Sequence, residues 1–140
     1  MPELADTSAW YAMLRDGEAR ADFEERLVGG EIAICDMVKL ELLRGARNHE
    51  DFARRRRELD DLVQCAIGPR EWERALDVYE GVCKAGPGND AHRRVHAADL
   101  LIAAAAESAG LTLVHYDQHF DVIAGVTDQP TRWLVPRGSQ

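Results

Sequence analysis

The chain has 140 residues, 46% of them hydrophobic, so it can bury most of the surface its unfolded form exposes and falls at the usual size of one domain. Its formal net charge of −8 argues against a protein that holds nucleic acid by overall positive charge, so any attraction for RNA must be local. The longest strongly apolar stretch, Ala97 to Ala106, is interrupted by Asp99 and is far shorter than the roughly 20 residues that span a bilayer. The opening Met-Pro-Glu-Leu-Ala-Asp has neither the basic nor the apolar region of an export signal. One cytosolic domain over residues 1–140, with no membrane contact, is the expectation.

In chain order, strand and helix signals alternate. Residues 1–6 form a short strand, and Thr7 or Ser8 can cap a helix through Leu14, because a hydroxyl accepts from orphan N–H groups. Asp16-Gly17 is a turn. Residues 18–28 are helical by periodicity, with Ala21, Phe23 and Leu27 on the inner side, and Gly29-Gly30 ends the element. Ile32 to Cys35 make an apolar strand, after which Asp36 stands as the N-cap of a helix over Met37 to Arg47. His49 to Leu62 is a highly charged helix, followed by the short run Val63 to Ile67. Pro69 suits a first helical position, with Glu71 and Glu73 near the positive end of the dipole, so a helix runs from Pro69 to Lys84. Gly86 to Asp90 is a loop, His92 to Ala109 a helix stopped by Gly110, Leu111 to His115 a strand, and Thr131 to Val135 the last strand.

Short apolar strands alternating with helices indicate a mainly parallel sheet covered on both faces, with the ligand site at the carboxyl ends of the strands. Asp6 follows the first strand and Asp117 follows Leu111 to His115. On the helix from His92, Val95, Asp99, Ile102 and Ala106 share one stripe, so Asp99 points with the apolar face. A buried carboxylate costs several kcal/mol unless it finds a cation, a shared proton or a metal. Pairing with Arg93 or His96 would satisfy Asp99 structurally. Glu41 likewise sits among Leu40, Leu42 and Leu43, where an ion pair with Arg44 would be the plain explanation. Asp6 can equally cap a helix and Asp117 shape a turn. Four acids converging on one crevice would repel one another unless divalent cations neutralise them, and Mg²⁺ suits such all-oxygen ligation.

Other features have plain readings. Cys35, Cys65 and Cys83 are odd in number, widely spaced and in apolar surroundings, which fits reduced core thiols. The basic runs Arg54 to Arg57 and Arg93-Arg94 read as solvated helix faces. Trp72 and Tyr79, seven residues apart on one helix face, fit core or dimer packing better than base stacking.

Four segments together resemble the PIN-domain family, and within it the VapC toxins of bacterial toxin–antitoxin modules. They are Asp6-Thr7-Ser8-Ala9-Trp10, Glu41-Leu42-Leu43-Arg44-Gly45-Ala46, Ala98-Asp99-Leu100-Leu101-Ile102-Ala103-Ala104, and Leu113 to Asp121. The resemblance implies a PIN-like three-layer α/β/α sandwich with a short, mainly parallel central sheet. It also implies an acidic site of Asp6, Glu41, Asp99 and Asp117, with Thr7 or Ser8 orienting a ligand water and Asp121 in a supporting position. The further implications are Mg²⁺, with Mn²⁺ as a substitute, an RNA substrate, a homodimer, and a VapB-like antitoxin that blocks the site. His115 departs from the pattern, since threonine or serine is common there in relatives.

The leading expectation is therefore a metal-dependent endoribonuclease. Two others compete with it. His115, Asp117 and His119 could form a transition-metal hydrolase site, because imidazole suits zinc and alternate spacing puts strand residues on one side. A non-catalytic dimeric module that binds antitoxin or RNA would account for the acidic net charge.

Overall fold

The computed structural model describes residues 1–85 and 90–140, so the first four residues of the loop expected at Gly86 to Asp90 lie outside it. Five strands form one sheet: β1 (Glu3–Ala5), β2 (Ile32–Cys35), β3 (Val63–Cys65), β4 (Leu113–His115) and β5 (Thr131–Trp133). Their order is β3-β2-β1-β4-β5, and every pairing is parallel. The helices are α1 (Thr7–Met13), α2 (Gly17–Val28), α3 (Asp36–Leu43), α4 (His49–Asp60), α5 (Pro69–Lys84), α6 (Ala97–Ala109) and α7 (His119–Thr127), with a 3₁₀ turn at Ala91–Arg93.

Alternation along the strands sends successive side chains to opposite faces. Leu4, Ala33 and Leu113 enter a large core with Val78, Val82, Ile102, Phe120 and Ile123 from α5, α6 and α7. Ala5, Ile32 and Val114 enter a smaller one with Ala9, Met13 and Phe23 from α1 and α2. The sheet is thus sandwiched, as expected from strands that read as apolar runs.

The expected β2 and α5 match the structure residue for residue, and several other boundaries shift. The cap of α1 is Asp6, whose side chain accepts from the Ser8 N–H, so Thr7 and Ser8 stand inside the helix. Ala21 is exposed, leaving Phe23 as the buried side chain of α2. Helix α3 starts at Asp36 and stops at Leu43, ahead of Gly45, which is a poor helix former, and Asn48 then caps α4. The expected helix from His92 is a 3₁₀ turn followed, after a break, by α6. Residues Asp99 to Ala106 are all buried, so α6 is enclosed all round rather than along one stripe. Cys35 and Cys65 are buried free thiols, but Cys83 is exposed, contrary to the core reading. Helix α7 has no counterpart among the expected elements.

Candidate active site

The crossovers leave β1 in opposite directions, so the crevice beyond the carboxyl ends of β1 and β4 is the switch point at which open parallel sheets receive ligands. Asp6 is the first residue past β1, and its N–H donates to the Val114 carbonyl at 2.9 Å. Its extended backbone lets Oδ2 accept from the Ser8 N–H (2.9 Å) and the Ser8 hydroxyl (2.6 Å). The Ser8 Oγ in turn accepts from the Tyr116 N–H at 2.8 Å, which ties the start of α1 to the turn after β4. Capping and a place in the crevice are therefore compatible duties for Asp6.

Glu41 reaches the same region from α3, where the Thr7 hydroxyl donates to its Oε1 at 2.8 Å. The expected pairing with Arg44 is not among the ion pairs of the described residues, and Thr7 takes its place. Asp99 lies in the first turn of α6, where its Oδ2 accepts from the His96 N–H at 3.3 Å. Asp117, two residues past β4, accepts from the His119 N–H at 2.9 Å through Oδ1. The His119 Nδ1 lies 3.1 Å from that oxygen and 3.8 Å from the Asp99 Oδ2.

Burial is the first cause that pushes the Asp6 carboxyl from its ordinary 3.8 up to about 6; the Ser8 bonds oppose it, and the charges of Asp99 and Glu41 add to it. Burial likewise raises Asp99, helped by the charge of Asp117 and opposed by the His96 N–H. The structure thus brings the four expected acids within electrostatic reach, with Asp6 feeling the charges of Asp99 and Glu41, and Asp99 that of Asp117. The tightest cluster is smaller: one ligand atom each from Asp99, Asp117 and His119 lie within 4.8 Å of one another. Two carboxylates and an imidazole are donors suited to a divalent ion.

Asp121 is not part of this trio and accepts from the Trp133 Nε1 at 3.2 Å. His115 is fully buried, its ring 5.2 Å from Phe120 and 5.0 Å from Trp133, and its Nδ1 accepts from the Asp117 N–H. Burial lowers its pKa. The grouping of His115, Asp117 and His119 is corrected in one member: His115 is turned into the core, while Asp117 in the turn and His119 at the start of α7 do meet, by the turn rather than by strand alternation. Sequence reasoning overlooked the meeting of His119 with Asp99. The usable signal was Asp117-Gln-His119 ahead of the apolar Phe120, Val122 and Ile123, a turn entering a helix.

Arg94 and Arg137 line a hollow of about 260 Å³ with Gln118, His119 and Asp121. Arg137 also bonds Gln118 and stacks over Trp133, 5.8 Å from the ring centre. Arg94 also pairs with Asp90 at 3.4 Å, while on α4 Arg54 and Arg55 are drawn to the buried Asp51, and Arg56 to Asp60.

This is a doubly wound parallel α/β protein with an acidic crevice at its switch point. The PIN-domain family model matches residues 4–126. Ribonuclease VapC18 of Mycobacterium tuberculosis is 40% identical over 134 residues, which cover 96% of each chain. Ribonuclease VapC21 of the same organism is 35% identical over 137 residues, 97% of this chain and 96% of the relative. The chain belongs to the PIN-domain family and, within it, to the VapC ribonucleases. Among solved structures, a chain of DNA-bound VapBC from Salmonella typhimurium superposes with a TM-score of 0.69 at 18% identity, covering 96% of this chain and 100% of that one. A chain of VapBC-5 from M. tuberculosis gives 0.57 at 20% identity, covering 94% and 96%. At such identities the likeness concerns the fold.

Proposed function

We propose that the chain, acting as one nuclease domain over residues 1–140, is the endoribonuclease toxin of a VapBC-type toxin–antitoxin module and works in the cytosol. The observation that carries this reading is the convergence of Asp6, Glu41, Asp99 and Asp117 at the switch point, two of them with raised pKa values caused by burial and mutual repulsion. An acidic crevice repels RNA when empty, so the reading requires a divalent ion, Mg²⁺ with Mn²⁺ as a substitute. The donor set fits: Asp6, Asp99 and Asp117 would hold it, and Glu41 would hold a second ion or the attacking water. When bound, the ion supplies charge neutralisation and polarisation at the scissile phosphate.

The chain's own groups do the rest. Thr7 and Ser8 fix the Glu41 and Asp6 carboxylates by the hydrogen bonds above, so neither acid must reorganise during the reaction. Glu41, half-buried and held through Oε1, would receive a proton from the attacking water. The water oxygen joins phosphorus, the bond from phosphorus to the 3′-oxygen breaks, the leaving 3′-oxygen takes a proton from solvent, and the products carry 5′-phosphate and 3′-hydroxyl ends. Arg94 and Arg137 would meet flanking phosphates.

Two surfaces support the expected partners. A hollow of about 610 Å³ lined by Trp10, Tyr11, Leu14, Leu42 and Leu59, with Arg20 and Arg54 among its basic groups, is suited to an amphipathic antitoxin segment, in keeping with the VapBC neighbours. Trp72 and Tyr79 are not core residues: with Leu76, Ala97 and Leu100 they line an apolar hollow on α5 and α6, suited to a second copy of the chain. Among the described residues no helix is long and apolar enough to cross a membrane.

The test is incubation of total cellular RNA with Mg²⁺, wild type beside Asp99→Ala, with mapping of the ends. Wild type should cut and leave 5′-phosphates, and the variant should lose at least about a hundredfold in rate. Cyclic-phosphate ends, or equal cutting by both proteins, would overturn the reading. Growth arrest on induced expression by wild type and Asp6→Ala alike would favour the non-catalytic binding module.

A further inference from the structure

We infer that His119 is a direct metal ligand, giving the ion between Asp99 and Asp117 a nitrogen donor and the site a preference for a first-row transition ion such as Mn²⁺ over Mg²⁺. The inference rests on the reading of those two aspartates as ligands. Its observation is geometric. The His119 Nδ1 is buried and has no hydrogen-bond partner, although it lies 3.1 Å from the Asp117 Oδ1 and 3.8 Å from the Asp99 Oδ2. An imidazole nitrogen facing two carboxylate oxygens without an aligned N–H between them leaves lone pairs opposed, an unfavourable arrangement unless a cation lies between them.

The spacing suits such a cation. In an octahedron with bonds of about 2.1 Å, neighbouring ligand atoms stand about 3 Å apart and opposite ones about 4.2 Å. The two His119 separations fall within that range, and the whole trio closes from 4.8 Å or less. The ring is also held in place: its own backbone N–H bonds Asp117, and the His96 ring packs edge-on at a centroid distance of 5.9 Å. Fixing the donor before the ion arrives lowers the cost of ligation.

The donor chemistry then decides the metal. Mg²⁺ takes oxygen ligands and keeps several waters, whereas Mn²⁺ accepts carboxylate, water and imidazole together. One buried nitrogen therefore discriminates between two ions that an all-carboxylate site would hold more alike.

Pulsed EPR of the full chain with one equivalent of Mn²⁺ tests this independently of activity. Wild type should show the hyperfine coupling of a directly bound imidazole nitrogen; His119→Gln and His119→Asn should lose it, and His96→Gln should keep it. Calorimetric titration with MnCl₂ and MgCl₂ should show His119→Gln weakening Mn²⁺ roughly tenfold or more and Mg²⁺ by less than about threefold. Metal-free melting curves like that of wild type show that the variants are folded. Wild type that binds Mn²⁺ without nitrogen coupling, or coupling that survives in His119→Gln, overturns the role of His119 and leaves the carboxylate site standing. Wild type that binds neither ion overturns both readings.

Discussion

Asp6 caps a helix and faces two other acids, Asp99 and Glu41, and these duties pull its proton affinity in opposite directions. Ser8 donates twice to the carboxylate and favours its charge, yet burial prevails and the pKa rises from 3.8 to about 6. Because the folded value lies above the unfolded one, folding takes up a proton. The stabilising contribution is complete below about 3.8 and is lost as pH rises through about 6, a loss on the order of 3 kcal/mol by neutral pH. In EDTA, denaturant unfolding should therefore show Asp6→Asn gaining on wild type between about pH 4 and pH 7.5, since an amide accepts from Ser8 without carrying charge. Saturating Mg²⁺ at pH 7.5 should recover much of the difference in wild type alone. Parallel pH profiles for the two proteins would mean that Asp6 ionises without penalty. At this scale the sequence picked out the acids that meet in the crevice, and named Thr7 and Ser8 beside them without the bonds they make. Strand ends and an apolar stripe located Asp6, Asp117 and Asp99, whereas the bonds from Thr7 to Glu41 and from Ser8 to Asp6 depend on side-chain directions that only the assembled α1, α3 and β4 define.

Helix α7 shows why one element escaped a reading based on local signals. Val122, Ile123, Val126 and Thr127 are β-branched and Gly125 lies within the element, so its intrinsic preference for helix is low. Tertiary packing overrides that preference: Phe120 and Ile123 are fully buried against the core shared with α5 and α6. The same packing explains Gly81 inside α5, where glycine costs a helix up to about 1 kcal/mol. A Cβ at Gly81 would meet the Val126 Cγ1 at 2.7 Å. Gly81→Ala should therefore destabilise the protein by about 1–2 kcal/mol despite its better helix propensity. In a Val126→Ala background the same change should instead stabilise, by about 0.5 kcal/mol or more, because the clash is gone and only the propensity gain remains. Denaturant midpoints of the four proteins check the reversal; equal effects in both backgrounds would mean that α5 and α7 yield at this contact. Strands β2 and β4 needed no such rescue, since their apolar runs agree with their final burial.

Across the whole molecule, a net charge of −8 must be reconciled with the RNA substrate proposed above. The basic run on α4 does not solve the problem, because the buried Asp51 engages Arg54 and Arg55 and Asp60 engages Arg56, whereas Arg94, held by the exposed Asp90, lines the hollow beside His119. Composition could show that attraction must be local, but not that Arg94, just ahead of α6, and Arg137, in the C-terminal segment, would meet at one hollow beside His119, because they are far apart in sequence. If these two guanidinium groups carry the phosphate contacts, RNA affinity should depend only weakly on salt. Each phosphate neutralised on a single strand contributes about −0.7 to the slope of log affinity against log salt, so two give about −1.4. Anisotropy titrations of a labelled RNA oligonucleotide, at constant Mg²⁺ in the Asp6→Asn background, should return a slope near that value and about −0.7 after Arg137→Ala. A slope several times steeper, or one unmoved by Arg137→Ala, would place the RNA on another basic surface, with Arg57 of α4, which lies beside the groups paired to Asp51 and Asp60, the first residue to replace.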